Sequence, residues 1–124
     1  MLIEPDNILA NIYKQFFKQN GLKIDHAYNA QQAVVMADNN TPDLVVCELQ
    51  LVEHSGIEFL YEFRSYIDWR DVPVIINSLV PPREFGLSRL GLRRELGVYE
   101  YLYKPSTNLR RLLSVVHANL SKKR

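Results

Sequence analysis

The chain has 124 residues, 47% of them hydrophobic and 23% charged, and a formal net charge of +1. This length fits one globular domain with a buried core, and the small net charge gives no electrostatic reason to expect binding to nucleic acid or to membranes. No apolar run approaches the ~20 residues of a membrane span, and the single cysteine excludes an internal disulfide, so we expect a cytoplasmic protein.

Segments typical of strands and helices alternate along the chain, which is the pattern of an α/β fold with a parallel sheet. In the first half, a short apolar strand precedes a helix with hydrophobic residues at helical spacing. A half-polar second strand is predicted at a sheet edge, and Asn29 can cap the helix after it. The third strand is apolar on both faces, as expected of a central strand. These elements cover residues 1–4, 7–20, 22–27, 30–39 and 44–47.

The second half adds three more helices and two strands in the same alternation. Gly86 and Gly91 lie in the predicted fourth helix, and each weakens it by roughly 1 kcal/mol. Right-handed crossovers would place helices on both faces of the sheet. We predict one domain over residues 1–120, followed by a basic tail or the start of a linker at 121–124. The five elements cover residues 56–66, 72–77, 83–95, 99–103 and 107–120.

Polar residues collect where the predicted strands end. In open parallel sheets, ligands bind beyond the carboxyl ends of the strands where the strand order reverses, which for the order 2-1-3-4-5 lies between strands one and three. Glu4, Asp6 and Glu48 leave these two strands, and Ser78 and Lys104 leave strands four and five. Carboxylates, a hydroxyl and an ammonium suit a divalent cation and a phosphoryl group. The alternative is that these residues only mark strand ends and helix caps.

Four short segments carry motifs in a characteristic order: LIEPDN at 2–7, PDLVVCELQL at 42–51, VPVIINS at 72–78 and GVYEYLYKP at 97–105. Together they resemble the CheY-like receiver domain of the response regulators of two-component systems. The resemblance covers essentially the whole chain. It implies a flavodoxin-like, doubly wound sheet of five parallel strands in the order 2-1-3-4-5, and a signalling module rather than an enzyme with turnover.

The resemblance implies a Mg²⁺ site formed by Asp6, Glu48 and the backbone carbonyl of Gln50. Pro5 stands where the family has a second acidic residue, so one carboxylate is missing there. Glu4 would compensate only if its side chain turned towards the site, and the alternation of side chains along a strand favours a direction different from that of Pro5. Because Mg²⁺ needs several oxygen ligands, we expect its binding to be weakened by Pro5 and Glu48.

The resemblance also implies a pocket for a phosphoryl group. Ser78 would hydrogen-bond the phosphoryl oxygens, and Lys104 would pair with their charge. Tyr101 would be the aromatic switch residue that moves inwards when the site is occupied. The peptide bond from Lys104 to Pro105 is commonly cis in the family.

Glu48 stands where the family has its phosphate-accepting aspartate. The extra methylene moves the carboxylate outwards by roughly 1.5 Å, and phosphoryl transfer depends on the position of the nucleophile. The same methylene brings a fixed negative charge towards Lys104 and Ser78. We therefore predict a pseudo-receiver that binds partners independently of phosphorylation. The alternatives are a Glu48 without effect on conformation, and a working Mg²⁺-dependent receiver that accepts phosphate from a histidine kinase.

The predicted fourth helix, fifth strand and fifth helix form an arginine-rich surface. In the family this is the signalling face, and here it suggests docking of a protein partner or formation of a homodimer; the alternative is a solvated basic helix. We expect a histidine kinase or a downstream signalling protein as the partner, and no direct contact with nucleic acid or a membrane. The residues concerned are Arg83, Arg89, Arg93, Arg94, Tyr99, Tyr103, Arg110 and Arg111.

A nucleotide- or flavin-binding protein of the same fold is a third alternative. No glycine-rich phosphate loop follows the first strand, and the acidic residues of the EPDN segment at 4–7 would repel a phosphate unless a metal intervened. The sequence therefore favours a signalling module over a cofactor-binding protein.

Overall fold

The computed structural model describes residues 1–53, 55–84 and 88–120. The strands are β1 (Leu2–Ile3), β2 (His26–Ala27), β3 (Val45–Cys47), β4 (Val74–Ser78) and β5 (Val98–Tyr103). The helices are α1 (Asn7–Gln19), α2 (Ala30–Asn39), α3 (Gly56–Ser65), α4 (Arg89–Leu96) and α5 (Leu109–Leu120). All strand pairs are parallel, and the order is β2-β1-β3-β4-β5. The predicted fold class and strand order are confirmed.

Helices cover both faces of the sheet, so the central strands are buried on both sides. On one face, Ile3 and Ile76 pack in a core shared with α2, α3 and α4. On the other face, Leu2 and Ile75 pack against α1 and α5. This double burial explains why β3 and β4 are nearly continuous apolar runs in the sequence. Among the described residues, no helix is long and apolar enough to cross a membrane.

Four helices begin at a side chain that accepts hydrogen bonds from the first turn. The caps are Asp6 for α1, Asn29 for α2, Ser55 for α3 and Ser88 for α4. At α3, Ser55 and Glu58 bind each other's backbone N–H groups in a capping box. Since Asp6 and Ser55 lie in the connections that follow β1 and β3, these caps fix two helices near the carboxyl edge of the sheet.

The fourth helix is shorter than predicted. A 3₁₀ turn at Pro82–Glu84 occupies the start of the predicted helix, and α4 begins only at Arg89. The hydroxyl of Ser88 accepts from the N–H of Gly91 and so supplies the cap that the prediction overlooked. Gly86 of the predicted helix and the predicted tail at 121–124 lie outside the described residues.

Other boundaries also differ from the prediction. β2 has two residues instead of six, as an edge strand with little pairing allows. A 3₁₀ turn at Lys104–Ser106 follows β5, so α5 begins at Leu109 rather than at residue 107. The bond from Lys104 to Pro105 is trans, unlike the geometry that is common in the family.

Gly56 allows α3 to start against the end of β3. A Cβ atom at this position would lie 2.6 Å from the Cα of Leu49 and 2.7 Å from the carbonyl oxygen of Glu48. Both contacts are with backbone, which cannot move aside as a flexible side chain can. The backbone around Glu48 is therefore enclosed by the first turn of α3.

Arg64 joins the end of α3 to the end of α4 at the opposite edge of the sheet. Its guanidinium donates to four backbone carbonyls, and Gly97 lies beside it with a φ of +65°. A Cβ atom on Gly97 would come within 2.5 Å of the guanidinium. The four carbonyl acceptors belong to Trp69, Arg70, Val72 and Leu96.

We expect Gly97→Ala to lower the free energy of unfolding by about 3 kcal/mol, because alanine resists a positive φ and displaces a guanidinium held by four hydrogen bonds. Gly21→Ala is the matched control, since Gly21 also has a positive φ of 81° but a Cβ atom added there would meet nothing within 4 Å. It should lose only about 1 kcal/mol. Urea unfolding of both variants measures these losses. Equal losses of unfolding free energy would contradict the prediction that displacement of the Arg64 guanidinium destabilises Gly97→Ala.

Candidate functional site

The Glu48 carboxylate, directly after β3, is enclosed by four hydrogen-bond donors. Its side chain is only 2% exposed. Oε1 accepts from Lys104 Nζ at 2.6 Å and from the Leu79 N–H at 3.2 Å. Oε2 accepts from the Gln50 N–H at 3.0 Å and from the Ser78 hydroxyl. Both oxygens of this buried anion are thus bound by the protein itself.

The Lys104 ammonium lies between two carboxylates. Nζ is 2.6 Å from Oε1 of Glu48 and 2.6 Å from Oε1 of Glu4, and the lysine side chain is 8% exposed. The other oxygen of Glu4 accepts from the backbone N–H of Asp6 at 3.1 Å. Removing water from three charged groups is costly, and the short contacts between opposite charges offset that cost.

Parallel strands bring these residues together because all of them end at the same edge. Glu4 follows β1, Glu48 follows β3 and Ser78 is the last residue of β4. Lys104 follows β5, and its long side chain crosses the end of β4 to reach the carboxylates that follow β3 and β1. The site therefore depends on four strand ends and would not form from any two of them.

Burial and hydrogen bonding act in opposite directions on the charges of the site. Burial raises the pKa of Glu48, but hydrogen bonds from Lys104, Ser78 and the Gln50 N–H, with the lysine charge, bring it below its usual 4.5. Burial lowers the pKa of Lys104, but its bonds to Glu4 and Glu48 and their charges raise it above its usual 10.5. Glu48 and Lys104 are consequently both charged at neutral pH.

A path of hydrogen bonds leads from Glu48 to the surface. The Ser78 hydroxyl donates to Glu48 and accepts from the Val80 N–H at 3.0 Å. The Val80 carbonyl accepts from the hydroxyl of Tyr101 on β5 at 2.6 Å. Burial, together with the charges of Glu48 and Glu84, raises the pKa of Tyr101 to about 12, so the hydroxyl keeps its proton. The loop after β4 is thereby tied to the carboxylate at one end and to the aromatic ring at the other.

The structure brings most of the predicted site residues together. Glu48, Ser78 and Lys104 are in direct contact. Gln50, predicted to offer a carbonyl to a metal, donates its N–H to Glu48. The Asp6 carboxylate caps α1, since its Oδ1 accepts from two N–H groups of the first turn at 3.0 and 3.1 Å.

Glu4 lies at the edge where the sequence placed it, but its partner there was not predicted. The alternation of side chains favoured a direction different from that of Pro5 and left open whether Glu4 reaches the site, and its carboxylate is buried against Lys104. Alternation predicts the face of the sheet, but here both faces are covered and a long lysine reaches the glutamate from beyond two intervening strands. A charged residue directly after two buried apolar residues was the available signal.

The oxygens expected to hold Mg²⁺ are not a free set of ligands. Lys104 binds both buried carboxylates, and the Asp6 carboxylate caps a helix. Within residues 1–53, 55–84 and 88–120, every buried side-chain nitrogen or oxygen has a hydrogen-bond partner. The same residues contain no group of three or more His, Cys, Asp or Glu side chains arranged for a metal ion. In this arrangement the two buried carboxylates are bound to the Lys104 ammonium and are not open ligands for Mg²⁺.

The arginine-rich surface is exposed, and part of it contacts β5. The Arg93 guanidinium lies 4.4 Å above the centre of the Tyr99 ring. Arg111 is 3.7 Å from a carboxylate oxygen of Glu100. Exposed arginines on α4, α5 and the preceding 3₁₀ turn make up the rest, namely Arg83, Arg89, Arg94 and Arg110.

Known proteins are similar to this chain over nearly all of its length. A family model described as the response regulator receiver domain matches residues 1–117. A Treponema denticola protein-glutamate methylesterase/protein-glutamine glutaminase is 34% identical over 98% of this chain and 32% of its own length. The transcriptional regulatory protein CpxR of Klebsiella pneumoniae is 31% identical over 97% of this chain and 48% of its own length. The chain thus spans less than half the length of these curated relatives.

Solved structures agree with the sequence match. A two-component response regulator from Clostridium difficile superposes with a TM-score of 0.81 at 26% identity, covering 98% of this chain and 93% of that one. The Francisella response regulator 1452 receiver domain gives 0.82 at 25% identity, covering 97% and 93%. A CheY-like receiver protein from Methanospirillum hungatei gives 0.82 at 19% identity over 97% and 90%, a likeness of fold alone.

Glu48 should stabilise the fold only while it is ionised. Its pKa is lower in the folded protein than the usual 4.5, so its contribution is present above that pH and is lost as the pH falls through the folded-state pKa. Glu48→Gln places an amide N–H where an oxygen accepts two hydrogen bonds, which should cost about 2 kcal/mol at neutral pH. Urea unfolding at a series of pH values should show this deficit shrinking in acid. A deficit independent of pH would contradict the ionised state.

Proposed function

The chain belongs to the response regulator receiver domain family, and from this premise we propose that it is a signalling module whose state is set by the Glu48 carboxylate instead of by phosphorylation. One observation carries the proposal. Two side-chain donors and two backbone N–H groups converge on a buried carboxylate at the position where the family has its phosphate acceptor. Such donors, one of them charged, are what a phosphoryl group would recruit.

The charge of Glu48 reproduces only part of a phosphoryl group. A carboxylate carries one negative charge, whereas a phosphoryl group carries about 1.5 to 2 and has three acceptor oxygens. Burial compensates in part, because hydrogen bonds are stronger where water is excluded. A carboxylate that is 2% exposed and bound to four donors can therefore hold its partners as firmly as a more highly charged but solvated group.

The hydrogen-bond path supports a link between this charge and the signalling surface. The Ser78 hydroxyl donates to Glu48 and accepts from the Val80 N–H, and the Val80 carbonyl accepts from the Tyr101 hydroxyl. Tyr101 belongs to β5, beside the arginine-rich surface. We propose this surface as the docking site for a protein partner, either a kinase or downstream protein of the pathway or a second copy of the chain.

The rival function, a phosphoacceptor that uses Glu48, has less support. Attack on a phosphoryl donor needs a free carboxylate oxygen in line with the phosphorus. Both oxygens of Glu48 already accept two hydrogen bonds each, and Glu4 and Glu48 bind the Lys104 ammonium instead of leaving oxygens open for Mg²⁺.

We expect the wild-type protein to gain no phosphoryl mass when it is incubated with acetyl phosphate and Mg²⁺, because the acceptor oxygens are buried and bonded. Intact-mass spectrometry measures this, with Glu48→Gln as the negative control. A wild-type phosphoryl adduct that disappears in Glu48→Gln would overturn the proposal and make the chain a phosphate acceptor. A Glu48→Asp variant run beside them tests whether a shorter carboxylate restores the reaction.

The coupling to Tyr101 gives a second expectation. Glu48→Gln should loosen the loop after β4, so that the Leu79 and Val80 amide hydrogens exchange at least tenfold faster. Nuclear magnetic resonance measures the exchange, and Glu62→Gln is the matched control because Glu62 is exposed on α3. Unchanged exchange in Glu48→Gln, with an unchanged Tyr101 ring signal, would show that Glu48 does not hold this loop.

A further inference from the structure

Lys104 forms ion pairs with two buried carboxylates at once. Its ammonium is 2.6 Å from a carboxylate oxygen of Glu4 and 2.6 Å from one of Glu48, in a site where both glutamates are 2% exposed. Two buried carboxylates at such a distance from one cation would repel each other strongly without it. The ammonium therefore does for these carboxylates what a bound metal ion does in an acidic site.

The rest of the site completes the neutralisation. Two carboxylates and one ammonium leave one negative charge in excess. Within the described part of the chain, the other hydrogen bonds to these carboxylates come from neutral donors, which disperse the excess charge. These donors are the N–H groups of Asp6, Gln50 and Leu79 and the hydroxyl of Ser78.

We propose that the Lys104 ammonium is the resident cation of this site and takes over the charge-neutralising role that the family gives to Mg²⁺. Glu4 is the positioning residue, because its carboxylate holds the ammonium from the side of β1. The inference rests on the proposed function, in which the site carries a permanent charge and performs no phosphoryl transfer.

Two departures of the sequence act together in this arrangement. Pro5 replaces the acidic residue that the family places beside Asp6, which removes an oxygen ligand for Mg²⁺. Glu4 supplies a carboxylate one residue earlier, where it meets Lys104 and not a free cavity. Compared with the family, the chain lacks a carboxylate at residue 5, where it would bind the metal, and has one at residue 4, where it binds Lys104.

The test is a thermal unfolding series in MgCl₂ and in NaCl of equal ionic strength, with no phosphoryl donor present. A ligand that binds only the folded protein raises its melting temperature in a saturable manner. We expect the wild type to show no such rise specific to Mg²⁺, since its carboxylates are occupied by the ammonium.

Lys104→Met removes the ammonium and keeps most of the aliphatic chain. The two carboxylates are then uncompensated, so this variant should be less stable than the wild type without metal. Mg²⁺ should raise its melting temperature by about 5 °C or more in a saturable manner. If the variant does not fold in NaCl, recovery of the native circular-dichroism signal on addition of Mg²⁺ is the same result. Lys23→Met, an exposed lysine before β2, is the matched control and should behave as the wild type.

A double variant, Glu4→Gln with Lys104→Met, identifies the ligands. It leaves only one buried carboxylate and should lose the response to Mg²⁺ that Lys104→Met gains. A specific, saturable response of the wild type would overturn the inference, as would a Lys104→Met variant that Mg²⁺ neither stabilises nor folds. The proposed function is tested separately, because it fails on a phosphoryl adduct at Glu48 and these experiments contain no phosphoryl donor.

Discussion

One buried ammonium between two carboxylates organises the carboxyl edge of this sheet. Lys104 follows the edge strand β5, whereas Glu4 and Glu48 follow the interior strands β1 and β3. Such an ion cluster is stable only if every member is present, because the loss of one leaves a buried charge without compensation. The buried cluster therefore forms only when the strand order and the turn after β5 bring all three charged groups to the same edge.

The same cluster connects the centre of the molecule with its surface. Glu48 orders Ser78, and Ser78 orders the backbone at Val80 on which the Tyr101 hydroxyl rests. On the other side, Gly56 lets the first turn of α3 close over the strand that carries Glu48. The carboxylate is therefore fixed by neighbours on both sides, and a change in its charge would be felt first in the loop after β4.

Much of the fold was accessible from the sequence, because alternating segments and the apolar run of β3 define a parallel sheet. The start of α4 was not, since a 3₁₀ turn and a serine cap divide the predicted helix. Glu48, Ser78 and Lys104 were grouped correctly from their strand ends. Glu4 was placed at the same edge, but its contact with Lys104 was not predicted, because alternation along a strand does not show how far a lysine from another strand reaches. The donors Gln50 and Leu79 act through backbone N–H groups, which nearly every residue carries, so their identity gives no sign of this contact.

The Glu48 carboxylate is joined to the chain by carbon–carbon bonds that do not hydrolyse. An acyl phosphate, by contrast, loses its phosphoryl charge when the acyl–phosphate linkage is hydrolysed. Under the proposed function, no phosphatase could end the signal and no kinase could start it. The amount of active protein in the cell would then follow its own synthesis and degradation. A pathway built on such a chain would respond on the timescale of gene expression and proteolysis, and its output would be graded by abundance.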